Sequence, residues 1–283
     1  MQIGIVGLGI IGGSMAGAIK KNSQHTVYAK DINPEALERD MLLGYVDGPL
    51  TDENLKDCDV LMIAVYPEVC LKVIEEMAPS ISSKTVVIDC SGIKRAICQK
   101  GRALGEKYGW TFIGGHPMAG REVWGYTAAN ANLFNSASMI LTPESDVDLL
   151  LLSDIKKFFL EIGFGTVTLK SPAEHDRIIA YTSQLAHVLS SAYVMSPTAK
   201  EHRGLSAGSF RDMTRVAVIN GQMWSDIFVE NKDYLIPEVD RLIADLQKYR
   251  TAILEEDKDT LKALMAESTA IKREISKPGP RRN

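Results

Sequence analysis

Three short stretches in the first half of the chain hold side chains that could do chemistry. Gly114-Gly115-His116-Pro117-Met118-Ala119-Gly120 sets one of only five histidines among small residues, directly after the apolar run 110–113. An imidazole with an ordinary pKa of about 6.5 suits proton transfer near neutral pH. The plainer reading is a satisfied structural histidine, and position has to choose between the two. Asp89-Cys90-Ser91-Gly92-Ile93-Lys94 offers a hydroxyl from Ser91 and a cation from Lys94. It reads equally well as a turn closed by the Ser-Gly pair with a solvated lysine behind it. Gly7-Leu8-Gly9-Ile10-Ile11-Gly12 fits G-x-G-x-x-G between an apolar run and a helical pattern. In that context Gly7 permits a tight turn and Gly9 a close backbone approach to a pyrophosphate. Gly12 permits close helix–strand packing. The N–H groups from Ile10 and Ile11 onward open a helix whose N-terminus attracts an anion. Asp31 follows Gly12 by 19 residues, where a ribose-binding carboxylate belongs, so NAD is favoured over NADP. Lys30 beside it pulls the other way, and the plainer reading of Asp31 is a cap for the helix at Pro34, a role compatible with the first.

The second half offers fewer candidates. Ser183-Gln184-Leu185-Ala186-His187 puts a histidine inside an apolar helical run. It is either bonded to a backbone carbonyl or aimed into a substrate cleft. In Gly208-Ser209-Phe210-Arg211-Asp212-Met213-Thr214-Arg215, the guanidinium groups of Arg211 and Arg215 lie four apart, on one face of a helix. Such a pair reads carboxylates by bidentate bonds, or pairs with Asp212 at the surface.

The elements that must position these groups alternate. Apolar strand patterns at 3–6, 25–29, 60–65, 85–89, 111–114, 138–142 and 166–169 are separated by helical patterns at 12–20, 34–43, 68–77, 95–108 and 146–162. Near-continuous apolar strands between helices predict a parallel sheet covered on both faces. Both Ser91 and His116 then follow strands at the carboxyl edge, where ligands bind. From residue 171 the pattern changes. Ser171-Pro172-Ala173-Glu174 is a strong helix start, and 174–193, 211–219, 223–231 and 234–267 keep helical spacing. The expected division is a nucleotide-binding Rossmann-type α/β domain at 1–170 and an all-helical domain at 171–283 that binds substrate and dimerises. The tail 277–283 reads as disordered.

Composition narrows the class. The 283 residues are 45% hydrophobic and 24% charged, with a net charge of −4 and no basic block, which argues against a nucleic-acid partner. No apolar run reaches the roughly 18 residues of a membrane span. Four cysteines without a C-x-x-C pair suggest neither a metal site nor disulfides, as in a cytoplasmic enzyme.

Taken in order, the glycine loop extended to Gly13-Ser14, the 89–94 and 115–120 stretches, the helix with His187 and the 208–215 stretch resemble the prephenate dehydrogenase family. That family also holds the arogenate and cyclohexadienyl dehydrogenases. The resemblance covers nearly the whole chain. It implies oxidative decarboxylation of prephenate to 4-hydroxyphenylpyruvate in tyrosine biosynthesis, with NAD as hydride acceptor and a homodimer formed through the helical half. It implies that His116 takes the proton of the substrate hydroxyl and that Ser91 helps orient this histidine. It further implies that His187 lies near the substrate side chain and that Arg215 binds a carboxylate, with Arg211 and Lys94 as further cations. The small residues around His116 would leave room for a flat ring. The chain departs from the family pattern at Gln184 and Ala186, where the family often has histidine and proline, and at Arg121. A pair between Glu122 and Arg215 would gate the pocket. With the glycine loop starting at residue 7, the chain reads as a monofunctional enzyme. The competing readings are an arogenate dehydrogenase, a β-hydroxyacid or imine-reducing dehydrogenase, and a nucleotide-sensing protein without catalysis.

Overall fold

Successive residues of each central strand enter opposite cores, which explains why the strand sequences are apolar almost throughout. Ile3, Ile5, Val60, Met62, Val86, Ile88 and Ile113 belong to one core, with Met15, Ile19, Phe134, Phe158 and Phe159. Val6, Leu61, Ile63, Val87 and Phe112 belong to the other, with Ile74, Ile97 and Trp110. Period-two alternation with both faces covered is the signature of a sheet buried between helical layers.

A computed structural model describes residues 1–120, 123 and 125–276. Its strands are β1 (Gln2–Val6), β2 (Thr26–Lys30), β3 (Gly48–Pro49), β4 (Val60–Ile63), β5 (Val86–Asp89), β6 (Thr111–Met118), β7 (Ser138–Thr142) and β8 (Thr166–Leu169). They form one sheet in the order β3-β2-β1-β4-β5-β6-β7-β8. The strands from β3 to β6 are parallel, and the order reverses around β1, leaving a crevice at the carboxyl ends of β1 and β4. The sheet is not parallel throughout: β7 runs antiparallel to β6, and β8 follows β7. That reversed edge gives β6 a partner beyond the end of β5. The strand therefore continues to Met118, where the sequence pattern predicts an end at 114.

The helices of this half are α1 (Ile10–Asn22), α2 (Pro34–Leu42), α3 (Asp52–Leu55), α4 (Pro67–Met77), α5 (Arg95–Tyr108) and α6 (Leu149–Glu161). Local signals set their ends. Asn33, and not Asp31 as expected, caps α2 through Glu35 N–H, Asp148 caps α6 through Leu150 and Leu151 N–H, and Gly109 ends α5 at φ +89°. Next comes α7 (Pro172–Ile179), whose capping box pairs Ser171 with Glu174. A π-helical turn, Ala180–Gln184, joins it without a break to α8 (Leu185–Val194).

The expected helix at 211–219 is shorter. α9 (Gly208–Thr214) tightens into a 3₁₀ turn, Arg215–Ala217, and α10 (Gly221–Glu230) follows. Two longer helices follow, α11 (Lys232–Leu254) and α12 (Lys258–Ile275), broken where Glu256 takes φ +56°. By compactness, residues up to 232 form one unit and those from 233 another. Among the described residues, no helix is long and apolar enough to cross a membrane.

Candidate active site

The glycine loop shows three different environments, each tied to one glycine. Gly7 has φ +91°, and a Cβ there would lie 2.5 Å from the Ala64 carbonyl oxygen. A Cβ on Gly12 would lie 1.8 Å from the Gly7 carbonyl oxygen, so only glycine lets α1 pack this closely. Among the described residues, a Cβ on Gly9 would meet nothing within 4 Å. Open space at the middle glycine, beside the start of α1, is the cradle that a pyrophosphate requires. No side chain caps α1 and no acid lies in its first turn, so the positive end of the helix stays available to an anion. Asp31 is anchored on the same loop: its carboxylate accepts from Leu8 N–H at 2.5 Å and from Asn33 N–H at 2.7 Å.

Two strands away, β5 ends on Asp89, fully buried. Its carboxylate accepts from Ser91 N–H at 2.9 Å and Gly115 N–H at 3.2 Å, and forms an ion pair with Lys94. The Lys94 ammonium also donates to the Gly115 carbonyl at 2.7 Å and has no exposed surface. This corrects the expected role of Lys94. It is neither solvated nor open to a substrate. It ties β5 to β6 beneath His116, because an ammonium this deep requires a carboxylate partner.

The same arrangement changes the reason for the glycines before His116. A Cβ on Gly114 would meet Thr142 Oγ1 at 2.2 Å and Cys98 Sγ at 2.5 Å, and a Cβ on Gly115 the Asp89 carbonyl at 2.5 Å. Both are small because the interior presses on them, not to admit a ring. Among the described residues, a Cβ on Gly120, by contrast, would meet nothing within 4 Å.

His116 lies three residues past Ile113, the last β6 residue paired with β5, and is half-buried. Its Nδ1 is 2.8 Å from Nε2 of His175 on α7. His175 Nδ1 is in turn 2.7 Å from Asp176 Oδ1. Asp176 also accepts from the backbone N–H groups of Lys94 and Arg95, at 2.8 and 2.9 Å, and from the Arg95 side chain at 3.2 Å. Arg95 reaches Asn231, whose amide donates to the Asp176 carbonyl and to Gln184 Oε1, both at 2.9 Å. Gln184 thus sits inside this network rather than against solvent, and its Nε2 has no partner among the described residues.

Burial, with His175 and Lys94 nearby, holds the His116 imidazole well below its ordinary pKa. Burial also lowers His175, although Asp176 pulls it up. Burial would raise the Asp176 carboxyl, yet the bonds it accepts from His175, Arg95 and Lys94 keep it below its ordinary value.

His175, Asp176, Arg95 and Asn231 were absent from the sequence-derived candidates. The available signal was a histidine–aspartate pair one turn into a capped helix, holding one of only five histidines. Ser91 is placed differently from its expected role. Its hydroxyl is buried on the side of the Cys70 thiol, and the Nδ1 contact of His116 goes to His175. Gly92 lies on the other side of the ring, where a Cβ would stand 4.0 Å from His116 Nε2.

The helical candidates form a second group. His187 Nδ1 is 2.9 Å from the Val216 carbonyl, and its ring lies 3.8 Å, centroid to centroid, from Trp224. His187 is therefore bonded to the backbone turn that Arg215 opens. Arg211 is exposed on α9, while Arg215 is exposed on the 3₁₀ turn, so the two do not share one regular helix. Arg121 and Glu122, with the proposed Glu122–Arg215 pair, lie outside the described residues, as does the tail 277–283. Burial raises the thiols of Cys58 to about 11 and of Cys90 and Cys98 to about 12, so none is an activated nucleophile.

Comparison with known proteins places this geometry. The family model described as prephenate dehydrogenase, nucleotide-binding domain, matches residues 15–168, and the one described as prephenate dehydrogenase, dimerization domain, matches 171–267. This chain belongs to the prephenate dehydrogenase family. The first match starts after the glycine loop, so the loop stands on its own geometry. A cyclohexadienyl dehydrogenase of Zymomonas mobilis is 33% identical over 270 residues, 92% of this chain and 91% of that protein. A prephenate dehydrogenase of Bacillus subtilis is 32% identical over 267 residues, 91% of this chain and 71% of that protein. The crystal structure of prephenate dehydrogenase from Aquifex aeolicus, in complex with hydroxyphenyl propionate and NAD+, superposes with a TM-score of 0.83 at 26% identity, covering 98% of each chain. As a member of the prephenate dehydrogenase family, the chain is an oxidoreductase with a nucleotide-binding half.

Proposed function

We propose that this protein oxidises and decarboxylates prephenate to 4-hydroxyphenylpyruvate, with NAD as cofactor, in tyrosine biosynthesis. One observation carries the reading: His116 projects beyond β5 on the sheet edge that also ends in the open glycine loop, and its Nε2 faces the small Gly92. Bound NAD supplies the hydride acceptor, and the loop from Gly7 to Gly12 with Asp31 fits its pyrophosphate and ribose. His116 Nε2 takes the proton of the C4 hydroxyl as the C4–H bond gives up its hydride and the C4–O bond becomes a carbonyl. The ring carboxylate then leaves as CO2, its electron pair completes the aromatic ring, and the proton returns to the phenol oxygen. Atoms balance with no further reactant. A neutral imidazole is required, and its burial favours that form.

Arg215, with Arg211 at the surface and His187 behind the same turn, supplies positive charge and hydrogen bonds for the substrate side-chain carboxylate. Ser91, buried just past the end of β5 and next to Gly92, is a donor for the ring hydroxyl. In this reading Lys94 supports the site from below. We also propose a functional boundary near residue 170, a homodimer formed through the helical half and a cytoplasmic location, where four free thiols are stable. The dimer reading is supported by exposed Ile236, Ile243, Leu246 and Ile253, whose spacing places them along one face of α11. A second reading, arogenate as substrate, is favoured by the Zymomonas mobilis relative named for cyclohexadienyl substrates.

NADH formation from prephenate and from arogenate, each with NAD and with NADP, tests the assignment. His116→Asn should lower kcat by about 10²–10⁴, and Arg215→Ala should mainly raise KM. A wild-type enzyme that turns over neither substrate would refute the reading.

A further inference from the structure

We propose that His175 and Asp176 act as a positioning relay that locks His116 in its Nδ1–H tautomer, so that the lone pair on Nε2 faces the reacting hydroxyl. The inference rests on His116 being the base, and it adds the groups that orient it.

With Asp176 ionised and His175 neutral, the hydrogen-bond geometry leaves one consistent assignment. Asp176 is held as a carboxylate by two backbone N–H groups and the Arg95 guanidinium, and a carboxylate can only accept. His175 Nδ1, at 2.7 Å, therefore carries a hydrogen. Burial beside Lys94 favours the neutral ring for His175, which leaves Nε2 bare. The 2.8 Å contact to His116 Nδ1 can then be made only if His116 donates it. The remaining nitrogen of His116 is an acceptor by elimination. The second ring nitrogen of a catalytic or metal-binding histidine is commonly fixed in this way by a further group. As His116 takes up a proton, its new charge lies one ring away from the Asp176 carboxylate.

The relay is built to be stiff. His175 is 1% exposed and Asp176 2% exposed. Asp176 joins two elements, since it receives the N–H groups that open α5 while sitting on α7. Asn231 closes the network by bonding both the Asp176 carbonyl and Gln184. Of the other charged groups near the pair, Lys94 is engaged with Asp89 and Gly115 and Arg95 with Asp176 and Asn231, while Glu230, whose carboxyl is pushed up by burial and by Asp176, lies close enough to Asp176 to act on it.

The test uses full-length protein with ¹⁵N-labelled histidine. Long-range ¹H–¹⁵N spectra show which ring nitrogen of His116 is protonated, with His116→Asn used to assign the signal. Wild type should show a neutral ring protonated at Nδ1. His175→Leu removes the acceptor while Asp176 keeps its α5 partners. It should mix the His116 tautomers and lower kcat by about 10²-fold, with substrate KM changed less than about threefold. His175→Gln offers a carbonyl oxygen near the lost Nε2; it should restore the Nδ1–H form and bring kcat within about tenfold of wild type. A purely structural role would impair both variants alike. Protonation of wild-type His116 at Nε2, an unchanged tautomer in His175→Leu, or equal loss in both variants would overturn the proposal. The wild-type spectrum decides even if a variant does not fold. It is also independent of turnover, so failure of the functional assignment and failure of the relay are distinguishable.

Discussion

Replacing Lys94 with methionine separates the two roles that this lysine has carried. The enclosed geometry predicts a stability defect. Methionine keeps most of the aliphatic stem and its packing, but it strands the fully buried Asp89 carboxylate and leaves the Gly115 carbonyl without its 2.7 Å donor. Breaking a buried pair by removing one partner costs roughly 3–5 kcal/mol. Two N–H bonds, from Ser91 and Gly115, remain on Asp89 and place the loss toward the lower end. For a unit of this size each kcal/mol moves the melting temperature by about 2–4 °C, so a loss of about 3 kcal/mol should make Lys94→Met melt about 6–12 °C below wild type. Thermal unfolding followed by circular dichroism at a fixed scan rate measures this. Adding Asp89→Asn removes the stranded charge and should recover part of the loss. A Lys94→Met variant that melts within about 2 °C of wild type while its substrate KM rises about tenfold would refute the reasoning. It would return Lys94 to the role of a substrate cation.

The glycine loop predicts an asymmetry. Gly9→Ala, with open space at the Cβ, should fold normally and bind NAD at least tenfold more weakly by fluorescence titration, whereas Gly12→Ala should lower the melting temperature, because its Cβ would overlap the Gly7 carbonyl. The lowered pKa of His116 sets a pH profile. The neutral ring is the active form, so kcat/KM should stay level as pH falls to about 6.5 and decline only below it, with an apparent pKa under the ordinary histidine value. A midpoint at or above 6.5 would contradict the enclosure of the ring. For the exposed face of α11, Ile243→Glu with Leu246→Glu should convert a dimer to a monomer by light scattering and leave the melting of the 1–232 unit near wild type.

Much of the architecture follows from local pattern. Apolar strands between helices of about ten residues already specify a sheet with two covered faces, because each strand must bury both of its sides. The start of α7 is written in Ser171, Pro172 and Glu174, whose capping contacts span only three residues. The glycine loop is similarly local: the collision of Gly12 with Gly7 arises within six residues. The reversed edge strand β7 was not legible, since a strand sequence has the same period in either direction. The extension of β6 to Met118 follows from that reversal, as the added residues pair only with β7.

By itself, then, the sequence determined the alternation of strands and helices, the Ser171 cap, the nucleotide loop and the family. All of these rest on contacts within a few residues or on ordered motifs. Tertiary structure alone decided what surrounds His116. Its partner His175 is 59 residues away, the amide of Lys94 meets Asp176 across 82, and Arg95 meets Asn231 across 136. No periodicity encodes which distant side chains meet in a low-dielectric interior. There, a lysine that reads equally well as solvated must take a buried carboxylate, and His175 and Asp176, which no motif singles out, come to lie against the proposed base.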